Sequence, residues 1–259
     1  MHSKLNLEAK NDLQTKQWDP NGMKTYIINV STNEVRRNHM LKQIGQHPCL
    51  NNHVFVHAGD IKDITPAMHA AYFGGELHEI GPAVSCAYKH ILAYQNALTV
   101  TDETLFLVLE DDIFLHDGFC VRLAAIKAEI ERRGLTNILV SLEESSLTYV
   151  NGSERKADQL LYAKKSGRMT GAYLFDKQAA QSLLAEIEAN KCKRPFDWFH
   201  NECAQSGVIS MYWAHPCLAV QGSLNGKIKS LIDDKSSGAW KVWSFELQRA
   251  YKKLLYSLR

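Results

Sequence analysis

Leu105-Phe-Leu-Val-Leu-Glu-Asp-Asp-Ile-Phe-Leu115 sets an apolar run against three adjacent carboxylates, Glu110, Asp111 and Asp112, before the apolar character resumes. Five successive apolar residues read as a strand buried on both faces. Unpaired carboxylates cannot stay in such a place. The acids therefore mark the point where the strand leaves its sheet and meets water, a cation or a ligand. In open α/β sheets, ligands bind at the carboxyl edge of the strands. Acids there supply oxygen ligands for a hard divalent cation such as Mg²⁺ or Mn²⁺. A solvated turn with capping acids is the alternative, but such turns rarely group three acids after so apolar a strand.

Working outward, Thr25-Tyr-Ile-Ile-Asn-Val30 reads as a first buried strand. Ser31 with Glu34 fits a capping box for a helix from Asn33 to Ile44. Arg36 and Arg37 in its first turns oppose the helix dipole, so they serve either an anion or open solvent. His53-Val-Phe-Val-His57 is a second strand, ending at Ala58-Gly59-Asp60. Residues 61–80 read as a long loop with one short helix near Pro66 to Tyr72. Pro82 starts a helix to Leu98, and Asp117 caps another to Gly134. Asn137 to Leu142 is a strand ending in Glu143-Glu144, and residues 149–159 are a polar loop or hairpin. Gly171 to Phe175 is a strand whose Asp176 caps a helix to Ala189. A helix from Pro195 to Gly207 precedes a last strand, Val208 to Trp213. Strands alternating with helices argue for an α/β layer structure.

The chain of 259 residues is 45% hydrophobic, which suits one large domain with a real core. A formal net charge of +2 makes no case for nucleic acid as a partner. Cysteines at 49, 86, 120, 192, 203 and 217 form no Cys-x-x-Cys pair. Their scatter suits reduced thiols in a cytosolic protein. Residues 1–22 are a polar leader or an added arm without an apolar signal core, and Met23 reads as a natural start. Residues 23–232 then make the main domain, and 233–259 a basic amphipathic helix. In that helix Trp240, Trp243, Leu247, Tyr251, Leu254 and Leu258 recur at helical spacing among Lys241, Arg249, Lys252, Lys253 and Arg259. So long a stripe needs a partner. Docking on its own domain or on a twin subunit is the favoured expectation, and an anionic membrane surface the other.

A divalent cation at a sheet edge most often serves phosphate chemistry, offsetting charge on a departing diphosphate. Asp112 is the first choice for direct metal contact. Glu110 would reach the metal through water or hold a sugar hydroxyl. His215, after the last strand, is a candidate further ligand for Mn²⁺; a surface histidine before a proline is its plain alternative. Asp197, between Phe196 and Trp198, is either a helix N-cap or a base whose pKa is raised by its apolar flanks.

At this point the motifs resemble those of glycosyltransferase family 25, the lipooligosaccharide-biosynthesis galactosyltransferases of Gram-negative bacteria. Six elements carry the resemblance, in order: Tyr26-Ile-Ile-Asn-Val-Ser31 with Arg36-Arg37, Gly81 to His90, Leu109 to Asp112, Met169 to Phe175, Pro195-Phe-Asp197, and Pro216 to Gln221. One departure is Lys89-His90, where the family has Ser-His; Ser85 is a candidate to compensate. The resemblance implies a GT-A-type open mixed sheet flanked by helices, here with a C-terminal amphipathic helical extension. It implies an inverting transfer of a hexose, with UDP-galactose the favoured UDP-hexose donor, to a lipooligosaccharide core acceptor. A divalent metal, Mn²⁺ or Mg²⁺, and work at the cytoplasmic face of the inner membrane are implied as well. On this reading Asn29, Arg36 and Asp60 line the uridine side, and Arg168, Thr170 and Gly171 the sugar side. Ser85, His90, Glu110, Asp111 and Gln221 complete the substrate-binding set, Asp112 and His215 hold metal, and Asp197 is the base, with Glu143 or Glu144 as its competitors. A metal-dependent nucleotidyl or phosphoryl transferase lacks its phosphate-binding Gly-x-x-x-x-Gly-Lys loop here. The intact acids argue against a non-catalytic sugar-binding protein.

Overall fold

In the computed structural model, which describes residues 22–228 and 239–259, the expected apolar segments become strands. In chain order they are β1 (Thr25–Ile28), β2 (His53–Val56), β3 (Leu105–Glu110), β4 (Ile113–Leu115), β5 (Ile138–Ser141), β6 (Leu161–Lys164), β7 (Ala172–Asp176), β8 (Ser210–Ala214) and β9 (Ala219–Gln221). The main sheet has seven strands in the order β2-β1-β3-β7-β5-β8-β6. β1 runs parallel to both β2 and β3, while β7 lies antiparallel between β3 and β5. The result is the open mixed sheet of a GT-A-type fold. β4 and β9 pair separately and antiparallel, with Ile113 opposite Gln221.

The uninterrupted apolar character of β3 has a simple cause: helices cover both faces of the sheet. Successive side chains point to opposite faces. Phe106 and Val108 join Tyr26, Ile28 and Phe175 in one core layer, while Leu105, Leu107 and Leu109 join Ile27 and Leu174 in the other. The helices are α1 (Glu34–Gly45), α2 (Pro66–Tyr72), α3 (Pro82–Thr99), α4 (Phe119–Arg133), α5 (Lys177–Asn190), α6 (Phe196–Ser206), α7 (Gly222–Asn225) and α8 (Ala239–Leu258). α3, α5 and α6 pack on the first layer through Ile91, Tyr94, Leu183 and Phe199, and α1 and α4 on the second through Met40, Leu123 and Ile126.

Local expectations hold where one side chain decides them. The Asp176 carboxylate accepts the Ala179 N–H at 2.9 Å and caps α5. Gly134 ends α4 in the left-handed region at φ 58°. Two caps differ. Asn33, not Ser31, caps α1, and the Ser31 hydroxyl donates instead to Asp60. α4 starts from Gly118 at φ 73° without a side-chain cap, so Asp117 does not cap it. β6, a segment to which no element was assigned from sequence, is recruited as an edge strand against β8. Cys49 and Cys120 are disulfide-bonded across a separation of 71 residues, which corrects the expectation of six reduced thiols. Cys86, Cys192, Cys203 and Cys217 are free.

The leader, except Gly22, and the expected boundary at 232/233 lie outside the described residues. Among the described residues no helix is long and apolar enough to cross a membrane. α8 does dock on its own domain, but not by its apolar stripe. Arg249 and Lys253 reach the buried Glu144, Lys241 Nζ donates to the Ser223 carbonyl at 3.0 Å, and Tyr256 packs on Tyr149.

Candidate active site

Register places the acids. β1 and β3 run parallel with Ile28 opposite Glu110, so Asn29 and Asp111 leave the sheet side by side. Asn29 Nδ2 donates to Asp111 Oδ2 at 2.8 Å, and Arg36 Nη1 from α1 meets Asp111 Oδ1 at 2.7 Å. Both oxygens of Asp111 are thus engaged in holding Asn29 and the guanidinium. Arg36 Nη2 also stands 3.7 Å from Asp112. The arginine in the first turn of α1 therefore serves anions, those of this same edge.

Asp112 differs from its neighbour. Its Oδ2 accepts the Ser223 N–H at 3.2 Å, whereas the buried Oδ1 has no hydrogen-bond partner. Burial and the nearby charge of Glu110 push its pKa up to about 6, against the pull of Arg36 and the Ser223 N–H. An orphaned oxygen on a buried carboxylate is what a hard cation would satisfy. Asp112 thus fits the metal role expected of it.

Glu110 is held in a cradle. Thr170 Oγ1 donates to one oxygen and Gln221 Nε2 to the other, each at 3.0 Å, and the Glu110 N–H donates to the Gly171 carbonyl at 2.8 Å. Gly171 is required by close approach: a Cβ there would sit 2.5 Å from Gln221 Nε2. Behind the cradle, His90 is fully buried, 3.6 Å from Glu110. Burial alone would raise the Glu110 pKa. The neighbouring His90 ring, the Thr170 hydroxyl and Arg36 outweigh burial and hold it below the usual carboxylate value. Thr170, Gly171, Gln221 and His90 therefore gather around Glu110.

The three acids border a cavity of about 450 Å³ lined also by Asn29, Arg36, Asp60, Ser85, Cys86, Lys89 and Ser223, among others. Its size is ordinary for a small-molecule site. Lys89, which the sequence reading did not assign, is its main organiser. Its ammonium donates to the carbonyls of Val56, His57 and Ala58 at 2.9–3.1 Å and pairs with Asp60 at 2.9 Å. The signal was available: a lysine on the apolar face of α3, one turn after Ser85, whose own hydroxyl donates to the Gly59 carbonyl at 2.7 Å. Burial opposes the charge on Asp60, but Ser31 and Lys89 keep its pKa low. Cys86 was also unforeseen. Burial and the charges of Glu110, Asp111, Asp112 and Asp197 push its thiol far up. Cys86, His90 and Glu110 offer ligand atoms within 4.8 Å of one another, a second candidate metal grouping beside Asp112.

Asp197 sits half-buried in the first turn of α6 and does not line the cavity. Burial and the charge of Glu110 raise its pKa, opposed by backbone N–H groups of Trp198 and of Asp197 itself. A buried chain ties this helix to the acids. His90 Nδ1 meets Tyr173 Oη at 2.9 Å, Tyr173 Oη meets Tyr94 Oη at 2.9 Å, and Tyr94 Oη meets His200 Nε2 at 2.7 Å.

Besides Asp197, two expected site residues reach neither the cavity nor the group gathered around Glu110. Arg168 is 1% exposed, and its guanidinium donates to the Ser141 and Ala214 carbonyls at 2.7 and 3.0 Å and to Cys217 Sγ at 2.8 Å. It ties β5 to β8 rather than facing a sugar. His215 lines a different cavity, with His116, Arg155, Arg249 and Lys253, and so is not a partner of Asp112 in metal binding. Burial and the charges of Arg155, Arg168 and Lys253 lower its pKa to about 4. Periodicity placed both residues near strand ends. Only tertiary packing shows which end of the sheet those side chains reach.

The model of glycosyltransferase family 25 (LPS biosynthesis protein) matches residues 23–199. The chain belongs to this family. The matched span contains β1 to β7 and every cavity acid, so the family assignment and the acidic edge concern the same part of the fold. No curated protein matches the chain. Among solved structures, a mannose-1-phosphate geranyltransferase from Thermus thermophilus is 9% identical, covering 76% of this chain and 75% of its own, with a TM-score of 0.39. An inositol-1-phosphate CTP transferase from T. maritima is 9% identical over 90% of this chain and 96% of its own, at 0.38. A UDP-glucose pyrophosphorylase is 11% identical over 90% and 82%, also at 0.38. Likenesses this remote carry no information about substrate. As a family 25 member the chain is a glycosyltransferase linked to LPS biosynthesis.

Proposed function

We propose that this family 25 enzyme transfers a hexose, galactose from UDP-galactose, to a lipooligosaccharide core with inversion at the anomeric carbon. The observation that carries the reading is Asp112: a buried carboxylate with one orphaned oxygen, facing a cavity that Arg36 makes partly cationic. Asp112, with Glu110 close by, would hold Mn²⁺ or Mg²⁺. When bound, the ion offsets charge on the diphosphate leaving group. Asn29, Arg36, Asp60 and Ser85 border the space for the nucleotide. Thr170, Gly171, Gln221 and His90 act by aiming Glu110, a positioning role.

Asp197 takes the proton of the acceptor hydroxyl. The acceptor oxygen bonds to C1 of the sugar as the C1–O bond to the β-phosphate breaks, and the electron pair leaves with UDP. A carboxylate whose pKa is raised by burial is better matched to this task than an ordinary aspartate. Glu143 and Glu144 do not compete. Both are fully buried, one on the backbone N–H groups of Gly171 and Ala172 and the other on α8. Work at the cytoplasmic face of the inner membrane is part of the proposal.

The test is a nucleotide-sugar panel with the full chain, reading UDP release with and without Mn²⁺, together with calorimetry of UDP binding. Mn²⁺-dependent release from UDP-galactose is expected, and Asp112→Ala should lose Mn²⁺-dependent UDP binding. Equal UDP binding with and without the metal, or a variant that binds as before, sinks the assignment of Asp112. Turnover of another UDP-hexose alone would replace the sugar.

A further inference from the structure

α8 buries Phe245 against its domain but keeps a second apolar face out of the fold. Trp240, Trp243, Leu247, Tyr251, Leu254 and Leu258 fall on one narrow face at 100° per residue. All six point to solvent, between 51% and 78% exposed. The rest of the helix holds it to its domain: Phe245 is buried, Tyr256 packs on Tyr149, Arg249 and Lys253 meet the fully buried Glu144, and Lys241 bonds the Ser223 carbonyl. A helix shaped only for its own domain would not also leave six large apolar side chains in water, so this stripe is built for an apolar phase outside the molecule.

The charges say which phase. The helix and the residue that follows it carry five basic residues against one acid, Glu246. Lys252 and Arg259 share one border of the stripe, where their stems can lie along it and their heads reach a surface of anionic headgroups. Tryptophan and tyrosine with lysine and arginine is the composition of helices that lie in the membrane interface. A twin packed antiparallel on this stripe would instead align the cations of both copies along one seam. We infer that α8 seats the protein on an anionic phospholipid bilayer, its Trp-Leu-Tyr face entering the headgroup boundary. The seat is two hydrogen bonds from the acidic edge: Lys241 holds the Ser223 carbonyl, and the Ser223 N–H holds Asp112 at 3.2 Å. The catalytic cavity, which Ser223 lines, is therefore fixed relative to the lipid surface. The inference rests on the helix alone and survives any change of donor or metal.

Co-sedimentation of the full chain with vesicles tests it. Vesicles of phosphatidylcholine with phosphatidylglycerol should capture the protein. Pure phosphatidylcholine should bind on the order of thirtyfold more weakly, as two headgroup attractions are lost. Trp243→Glu with Leu254→Glu should abolish capture while UDP release in solution is unchanged, since neither residue touches the cavity or the core. Should that variant fold poorly, quenching of wild-type tryptophan fluorescence by brominated lipids reads the same insertion. A wild-type protein left in the supernatant, or captured equally by neutral vesicles, overturns the proposal. A concentration-dependent dimer that the double variant dissolves, without lipid capture, overturns it in favour of a second copy.

Discussion

Two strands of this sheet end in runs of acids, and the runs have opposite fates. β3 ends in Glu110-Asp111-Asp112, beside a cavity, and leaves one carboxylate oxygen without a partner. β5 is followed by Glu143-Glu144, both 0% exposed and both engaged. Glu143 accepts the Gly171 N–H at 2.6 Å and pairs with the Ser145 hydroxyl. Glu144 takes Arg249, Lys253 and the Tyr149 hydroxyl. An acid at a strand end is thus a site only where the fold leaves it something to bind. Where backbone donors or a docking helix have reached it first, it is a fastener.

The sharpest way to break this contrast is at the chemistry. Asp197→Asn should lower turnover by about 10²–10⁴-fold, the usual worth of a general base, while UDP binding stays as in wild type. The rising acid limb of the pH–rate profile, set above an ordinary aspartate because burial raises the Asp197 pKa, should vanish with it. Near-normal turnover in this variant would return the base to some other group.

The fastener is probed next. Arg249→Met with Lys253→Met leaves Glu144 buried without its ion pairs, and unfolding should become easier by about 3–5 kcal/mol. Glu144→Gln removes the buried charge itself and should cost only about 1–2 kcal/mol. Urea melts that rank the two the other way would show that Glu144 does not hold α8.

An effect of another kind separates the fastener from the site by pH. Burial pushes the Glu143 pKa up to about 8, above the value near 4.3 of an unfolded chain. The folded state then favours the neutral acid, so this contribution is complete at low pH and is lost as pH rises between about 4.3 and 8. Glu143→Gln should flatten that part of the melting-temperature profile, and an unchanged slope would reject the assignment. Smallest is Gly171→Ala. Its Cβ should push Gln221 off Glu110 for about 1 kcal/mol, one hydrogen bond. Gln221→Ala in the same chain should make the alanine neutral, a coupling read by a double-mutant cycle.

Much of this was legible in order of residues. β3 was readable because an apolar run of strand length permits little else, and α5 because Asp176 is both strand end and cap. The acidic edge followed from desolvation alone. Legibility failed where a residue's partner lies far along the chain. Lys89 reads as an oddity in α3 until β2 brings three carbonyls to it, 31–33 residues away. Arg168 and His215 kept their places near strand ends, yet their side chains go to a sheet seam and to a second cavity. The Cys49–Cys120 bond joins cysteines on elements whose spacing carries no signature.

The order of residues by itself determined the α/β alternation, the buried strand with its acidic end, the helix boundaries set by single capping groups, and the existence of an apolar stripe near the C-terminus. These are local properties, decided by period, by desolvation cost and by short-range hydrogen bonds. Tertiary structure alone decided which acids stay available, which cation holds which carboxylate, and that α8 turns its stripe outward. Those outcomes depend on which distant donor arrives first at a buried charge, and only the packed sheet brings such donors within reach.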